Sequence, residues 1–212
     1  THCISSAASD VYKRQVLGRP LAALTNALNN WLGGMSGASA VILGIVLGLM
    51  MCSDLGGPIN KAAYLFATTN LAVTNVGSLK VMAAVMAAGM VPPLAMALST
   101  TLRPKLYQPA ERENGTAAWL LGASFISEGA IPFAAADPLR VIPSMMVGGA
   151  ITGALSMALG AASKAPHGGI FVFFAIDRVW AFILAIVVGT LVAALLVTAL
   201  KASARRKAAA AA

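Results

Sequence analysis

From Val16 to Leu200 the chain is a succession of long apolar runs separated by short polar breaks. Val141 to Ser163 and Val179 to Leu200 carry no charged residue, and Leu79 to Leu102 carries one, Lys80. A helix needs about 20 mostly apolar residues to cross a bilayer. These three stretches therefore predict membrane spans. Ser36 to Ser53 is uncharged and slightly short for one, and a weaker span is predicted at about 62–77. Pro92 and Pro93 predict a kink within 79–102, since each removes a helix hydrogen bond. Ahead of these spans, Leu17, Leu21, Leu24, Leu28 and Trp31 recur at helical steps with Asn26, Asn29 and Asn30 between them. That spacing predicts an amphipathic helix ending at Gly33-Gly34. The polar stretch 103–114 reads as a loop. Residues 116–140 and 164–176 are too interrupted by Pro, Gly and charge for plain spans, so both are predicted to enter and return on one side. Such backbone is tolerated at membrane depth only where it is buried in protein or lines a cavity. The fold class predicted is all-α, a polytopic helical membrane protein with re-entrant hairpins.

Composition agrees with that pattern. Of 212 residues, 58% are hydrophobic and 10% are charged, against about 25% charged in soluble domains, and the mean hydropathy is +0.81. The net charge of +8 does not signal nucleic acid. The cations cluster at Arg103, Lys105 and Arg112 and again at Lys201, Arg205, Arg206 and Lys207, flanking apolar spans. That distribution follows the positive-inside rule and makes no basic stripe interleaved with aromatics. It predicts a cytoplasmic 103–114 loop and a basic cytoplasmic tail at 201–212, frayed at its end. Spans 141–163 and 179–200 supply the even number of crossings between them. Residues 1–15 are polar, unlike the apolar pattern that begins at Val16, and are read as a non-native leader. Cys3 and Cys52 have no metal or redox spacing, and Cys52 reads as a small core residue. No metal site and no cofactor are expected.

Chemistry concentrates where the apolar pattern breaks. Glu128 follows a mostly apolar run, and an intramembrane charge costs about 2.5–3.5 kcal/mol on insertion scales unless it is paired or hydrated. It is a functional candidate, the other reading being a carboxylate bonded to its own turn. Asp137 and Arg140 are three apart and predict a local ion pair, or a carboxylate capping the helix that Pro138 begins. His167 sits before Gly168 and Gly169, where a ligand can approach the backbone closely, and its imidazole offers one donor and one acceptor. Asp54, Asn60 and Lys61 surround a Gly-Gly-Pro turn, either as a polar wall or through an Asp54–Lys61 salt bridge. Gly44/Gly48 and Gly149/Gly153 form GxxxG pairs, which permit close helix approach but are common in membrane helices.

Three of these stretches, SDLGGPINKAAYLFA, SEGAIPFAAADPLRVIPSMMVGGAITGALSM and APHGGIFVF, closely resemble the fructose-specific membrane component (enzyme IIC) of the bacterial phosphotransferase system. The resemblance runs from about Val16 to about Leu200. It implies a fold similar to the glucose-superfamily IIC proteins, homodimeric, with re-entrant hairpins holding the sugar. It implies a multi-pass protein of the inner membrane that moves fructose or a related sugar while a phosphorylated IIB domain phosphorylates it. By the same resemblance Glu128 matches the glutamate beside the reacting hydroxyl, and His167 is the matching histidine. Asp54, Asn60, Lys61 and Gly168 are implied to contribute to sugar binding. The family's IIC domain is longer at its N-terminus than residues 16–200, which resemble its C-terminal part, so the chain is expected to be inactive alone. Two other functions fit the residues: an ion-coupled transporter or channel using Glu128 and Asp137, and a non-transporting membrane scaffold.

Overall fold

The computed structural model describes residues 30, 37–69, 71 and 75–210. Apart from Asn30, the expected helix from Val16 to Trp31, its Gly33-Gly34 break, the 1–15 leader and Cys3 lie outside the described residues. The elements are α1 (Ala38–Ser53), α2 (Pro58–Thr69), α3 (Val76–Leu102), α4 (Pro109–Ala123), α5 (Ile131–Ala136), α6 (Pro138–Leu159) and α7 (Val179–Ala210). Short 3-10 turns lie at Pro104–Leu106, Ser127–Ala130 and Gly169–Ala175. A two-residue antiparallel pair, β1 (Ala162–Ser163) with β2 (Ile176–Asp177), closes the last loop. The described fold is all-α apart from that pair, and α3, α6 and α7 are long and apolar enough to cross a membrane.

Helix α3 is the axis of the bundle: 89% of its most apolar stretch is buried. Its buried faces are mostly Ala and Met, with three valines between them, and Met82, Met86, Met90 and Met96 are fully enclosed. Small and unbranched side chains let neighbours pack on every side. The expected kink at Pro92-Pro93 corresponds to one continuous helix. The prolines leave the carbonyls of Ala88 and Gly89 without their usual helical donors. Cys52 Sγ donates to Ala88 O at 3.4 Å and Ser127 Oγ to Gly89 O at 2.8 Å. Side chains from two other elements thus replace the missing bonds, as membrane helices require.

Around this axis, α1 and α6 approach through their glycines. A Cβ at Gly44 would strike the Gly153 carbonyl, and one at Gly48 the Gly149 carbonyl. On the other side of α6, Thr152 Oγ1 donates to Ala185 O of α7 at 3.2 Å, beside Gly189.

Four expectations about boundaries change. The weaker span at 62–77 is instead the 12-residue helix α2 and a separate start for α3. Asn75 Oδ1 accepts from Gly77 N at 2.9 Å and Ser78 N at 3.4 Å, the N-cap arrangement that begins a new helix. The 103–114 loop is shorter than expected, because α4 begins at Pro109 with Glu111 Oε2 accepting from Gln108 N at 2.8 Å. Span 141–163 begins at Pro138 and stops at Leu159, where Gly160 takes φ 71. Span 179–200 does not end at Leu200: α7 runs 32 residues to Ala210, about 48 Å, through a stretch rich in Ala, Lys and Arg, all good helix formers.

Both interrupted segments are hairpins. Lys201 Nζ lies 3.6 Å from Glu111, at the start of α4, and 3.7 Å from Asp137, just after α5. The segment between them therefore enters and leaves at one end of the bundle. Its turn, at Ser127, meets Gly89, the midpoint of the 27-residue α3. Residues 164–176 leave and return through the β1–β2 pair, and Gly169 packs on Ala123 and Phe125 at that same turn.

Candidate functional site

The two hairpin tips and the α1–α2 corner enclose a cleft of about 190 Å³. Its walls are Met51 at the end of α1, Asn60, Lys61 and Tyr64 on α2, Phe125, Ser127 and Glu128 from the first hairpin, and His167 from the second. Pockets for drug-sized ligands span about 300–1,000 Å³, so this one suits a compact polar molecule.

Local sequence explains each placement. Both Asp54 carboxylate oxygens are occupied by backbone: Ile59 N donates at 2.7 Å and Asn60 N at 2.9 Å. Asp54 is thus the start signal of α2. It does not line the cleft, and the alternative Asp54–Lys61 salt bridge is not formed. Asn60 Nδ2 donates to Met51 O at 2.6 Å, which pins α2 to the end of α1. Gly57 leaves space for Asp54, since a Cβ there would lie 2.5 Å from Oδ2. Gly56, at φ +107, does the same for Glu128: its Cβ would lie 2.6 Å from Oε1. The Gly-Gly-Pro turn is therefore a seat for two carboxylates, one structural and one open.

Glu128 and His167 are both exposed within the cleft, and neither is hydrogen-bonded or ion-paired to a described residue. The reading of Glu128 as a carboxylate tied to its own turn does not match this geometry. The His167 ring packs 5.1 Å from Phe125 and 6.4 Å from Tyr64, centroid to centroid. Phe125 holds φ 65, an unusual backbone for a bulky residue and a strain of the kind that gathers at working sites. It is accommodated because Gly89 lacks a Cβ, which would otherwise meet the Phe125 ring. Gly168, at φ +118, precedes the 3-10 turn and is not among the cleft residues.

Sequence reasoning missed Met51, Tyr64, Phe125 and Ser127. Tyr64 was within reach, one helical turn after Asn60 and Lys61 and so on their face. Ser127 was not, because its partner is a carbonyl freed by prolines elsewhere in the chain.

No family model and no solved structure matches the chain. Curated relatives do. The PTS system fructose-specific EIIB′BC component of Escherichia coli is 53% identical over 189 residues, 88% of this chain and 33% of that protein. The PTS system fructose-specific EIIC component of Haloferax volcanii is 49% identical over 88% of this chain and 49% of its own length. The fructose permease IIC component of Bacillus amyloliquefaciens is 44% identical over 88% and 60%. The chain belongs to the fructose-specific EIIC family of the PTS. It spans about a third to three fifths of the length of these relatives.

The membrane-embedded EIIC chain has a second polar centre, well away from the first. Asp137 and Arg140 pair at 2.9 Å, but at the end of the bundle where both the α4–α5 segment and α7 meet the 104–108 turn. Asp137 makes no side-chain cap to α6 and is shared instead between Arg140 and Lys201. The Lys201 ammonium also stands 4.7 Å over the Tyr107 ring. Tyr107 Oη lies 2.5 Å from Ser99 Oγ, which lies 2.6 Å from Thr198 Oγ1. This network ties α3, α7 and both ends of the hairpin together. Sequence did not suggest it, since Glu111, Asp137 and Lys201 are far apart along the chain.

Burial pushes the Tyr107 phenol up to about 12, with the Glu111 and Asp137 carboxylates acting the same way and the Ser99 hydrogen bond opposing them. The folded chain thus holds this proton to higher pH than the unfolded chain, whose phenol titrates near 10. Its contribution to stability is full below about pH 10 and is lost as pH rises through about 12. Tyr107→Phe is expected to be less stable at neutral pH by about 1 kcal/mol, yet to lose less between pH 10 and 12. Unfolding midpoints across that range in detergent check this, and parallel profiles for the two proteins would refute it.

Proposed function

We propose that the cleft beside Glu128 is the sugar site of a fructose-type PTS permease, and that a phosphorylated IIB domain phosphorylates the sugar held there. The convergence of Glu128, His167, Asn60 and Lys61 on one small cleft, at the midpoint of a membrane-length helix, carries this reading. Fructose is the sugar, a reading that the names of the relatives support. The EIIB′BC names put B and C components in one polypeptide, which supports IIB as partner.

The chemistry available suits phosphoryl transfer, which depends on positioning and charge management more than on covalent work by the protein. Glu128 accepts a hydrogen bond from the attacking hydroxyl and takes its proton as the oxygen–phosphorus bond forms and the bond from phosphorus to the donor side chain of IIB breaks, that side chain leaving as the free group. His167 orients the ring through its donor and acceptor. Lys61, exposed at the rim and unpaired with any described carboxylate, offsets the incoming phosphate charge. Tyr64 and Phe125 give the sugar apolar faces to lie against. The cationic ends of α3 and α7 face the cytoplasm, as the positive-inside rule expects, and the complete protein works as a homodimer.

A chimera tests this. Residues 38–200 replace the matching segment of the Bacillus amyloliquefaciens fructose permease IIC component, and vesicles carrying it receive phosphorylated IIB and labelled fructose. The expected result is fructose phosphate inside the vesicles, insensitive to an uncoupler. Accumulation of unmodified sugar that collapses with the uncoupler would establish an ion-coupled transporter instead.

A further inference from the structure

The geometry points to a binding site for the phosphate headgroup of an anionic membrane lipid, in the basic cleft at the end of the bundle opposite the β1–β2 pair. This cleft has a volume of about 550 Å³, within the about 300–1,000 Å³ of small-molecule sites. Lys105, Arg112, Arg140, Lys201 and Arg205 line it against the single carboxylate Asp137. Arg140 and Lys201 are engaged with Asp137, and Lys201 with Glu111. Lys105, Arg112 and Arg205 have no carboxylate within ion-pair distance among the described residues. Arg112 uses only Nε, on Tyr107 O at 3.2 Å, and Arg205 one terminal nitrogen, on Lys105 O. Their remaining N–H groups suit the oxygens of a phosphodiester.

The surroundings select a lipid as the source. Two membrane-length helices change from apolar to cationic at this cleft, α3 at Leu102–Arg103 and α7 at Leu200–Lys201. Apolar surface stands beside the cations: Leu102 is 54% exposed and Leu139, one residue from Arg140, is 85% exposed. Acyl chains can lie there while the headgroup sits among the cations, the arrangement of basic pockets at the ends of membrane helices. From Gly89 to Leu102 the helix rises about 20 Å, and the two clefts share no lining residue, so this cleft is separate from the sugar site. The inference does not depend on the sugar reading.

The test uses the full chain, purified in detergent and analysed by native mass spectrometry. Phosphatidylglycerol, phosphatidylcholine of the same acyl chains, and inorganic phosphate are titrated separately and in competition. Each cation near a phosphate is worth a factor of about five. The Lys105→Gln/Arg112→Gln/Arg205→Gln variant is therefore expected to bind phosphatidylglycerol about a hundredfold more weakly. Arg206→Gln/Lys207→Gln, exposed on the same helix outside the cleft, should bind it like the parent. Where the triple variant loses helicity, Arg112→Gln alone is expected to weaken binding about fivefold. Equal affinity for the two lipids, or full binding by the triple variant, would overturn the proposal. So would displacement of the lipid by inorganic phosphate at equal concentration, which would assign the cleft to soluble phosphates. Loss of phospho-IIB capture with lipid binding intact would assign it to protein docking.

Discussion

Glu128→Gln is expected to lower sugar phosphorylation by the completed permease by a factor of about 10²–10⁴, the usual contribution of a positioned general base. Glutamine keeps the shape of the side chain and its fit over Gly56, but it cannot take a proton. Because the carboxylate is exposed and pairs with no described residue, its loss strands no buried charge. Membrane insertion, helix content and thermal midpoint should stay at parental values, and sugar affinity should change much less than the turnover rate. Initial rates of fructose phosphate formation at saturating phospho-IIB, beside an expression measurement, check this. A rate within about threefold of the parent would remove Glu128 from the chemistry. Failure to insert would make it a structural residue.

Gly48→Leu should act on the fold rather than the chemistry. Gly48 and Gly149 face each other so closely that a Cβ on either would press on the other's carbonyl, and Gly44 and Gly153 repeat the contact one turn away. These are backbone atoms, so no rotamer change can make room, and a leucine must push α1 and α6 apart. Overpacking costs about 1–3 kcal/mol in cores where side chains can adjust. Here the loss should lie at or above the top of that range. The expected result is a lower unfolding midpoint in detergent and reduced abundance, while Ile45→Leu, on the exposed side of α1, stays at the parental midpoint. Equal midpoints for Gly48→Leu and the parent would mean that α1 and α6 are not held by this contact.

The two substitutions differ in how well the sequence announced them. Glu128 announced itself, because a carboxylate after an apolar run is expensive and so rarely accidental. The glycine pairs did not, because GxxxG is frequent in membrane helices and says only that a close approach is possible. That Gly44 meets Gly153 and Gly48 meets Gly149 is a matter of which helix lies beside which.

Hydrophobic patterning by itself determined the membrane class, the three long spans and the two interrupted segments, because burial in lipid constrains every residue along a span in the same way. It also brought Glu128 forward, as a carboxylate set where charge is costly, whereas His167, Asn60 and Lys61 came forward through their glycine turns and the family resemblance. Only the tertiary structure decided that Asp54 caps α2 rather than meeting the cleft, and that Phe125, Tyr64 and Ser127 complete its walls. It alone joined Glu111, Asp137, Tyr107 and Lys201 at one end of the bundle. It alone made Pro92 and Pro93 useful, since a carbonyl freed by proline is satisfied by whichever donor the fold carries to it. Desolvation acts residue by residue and so leaves its trace in sequence; partnership between distant groups is fixed only when the helices pack.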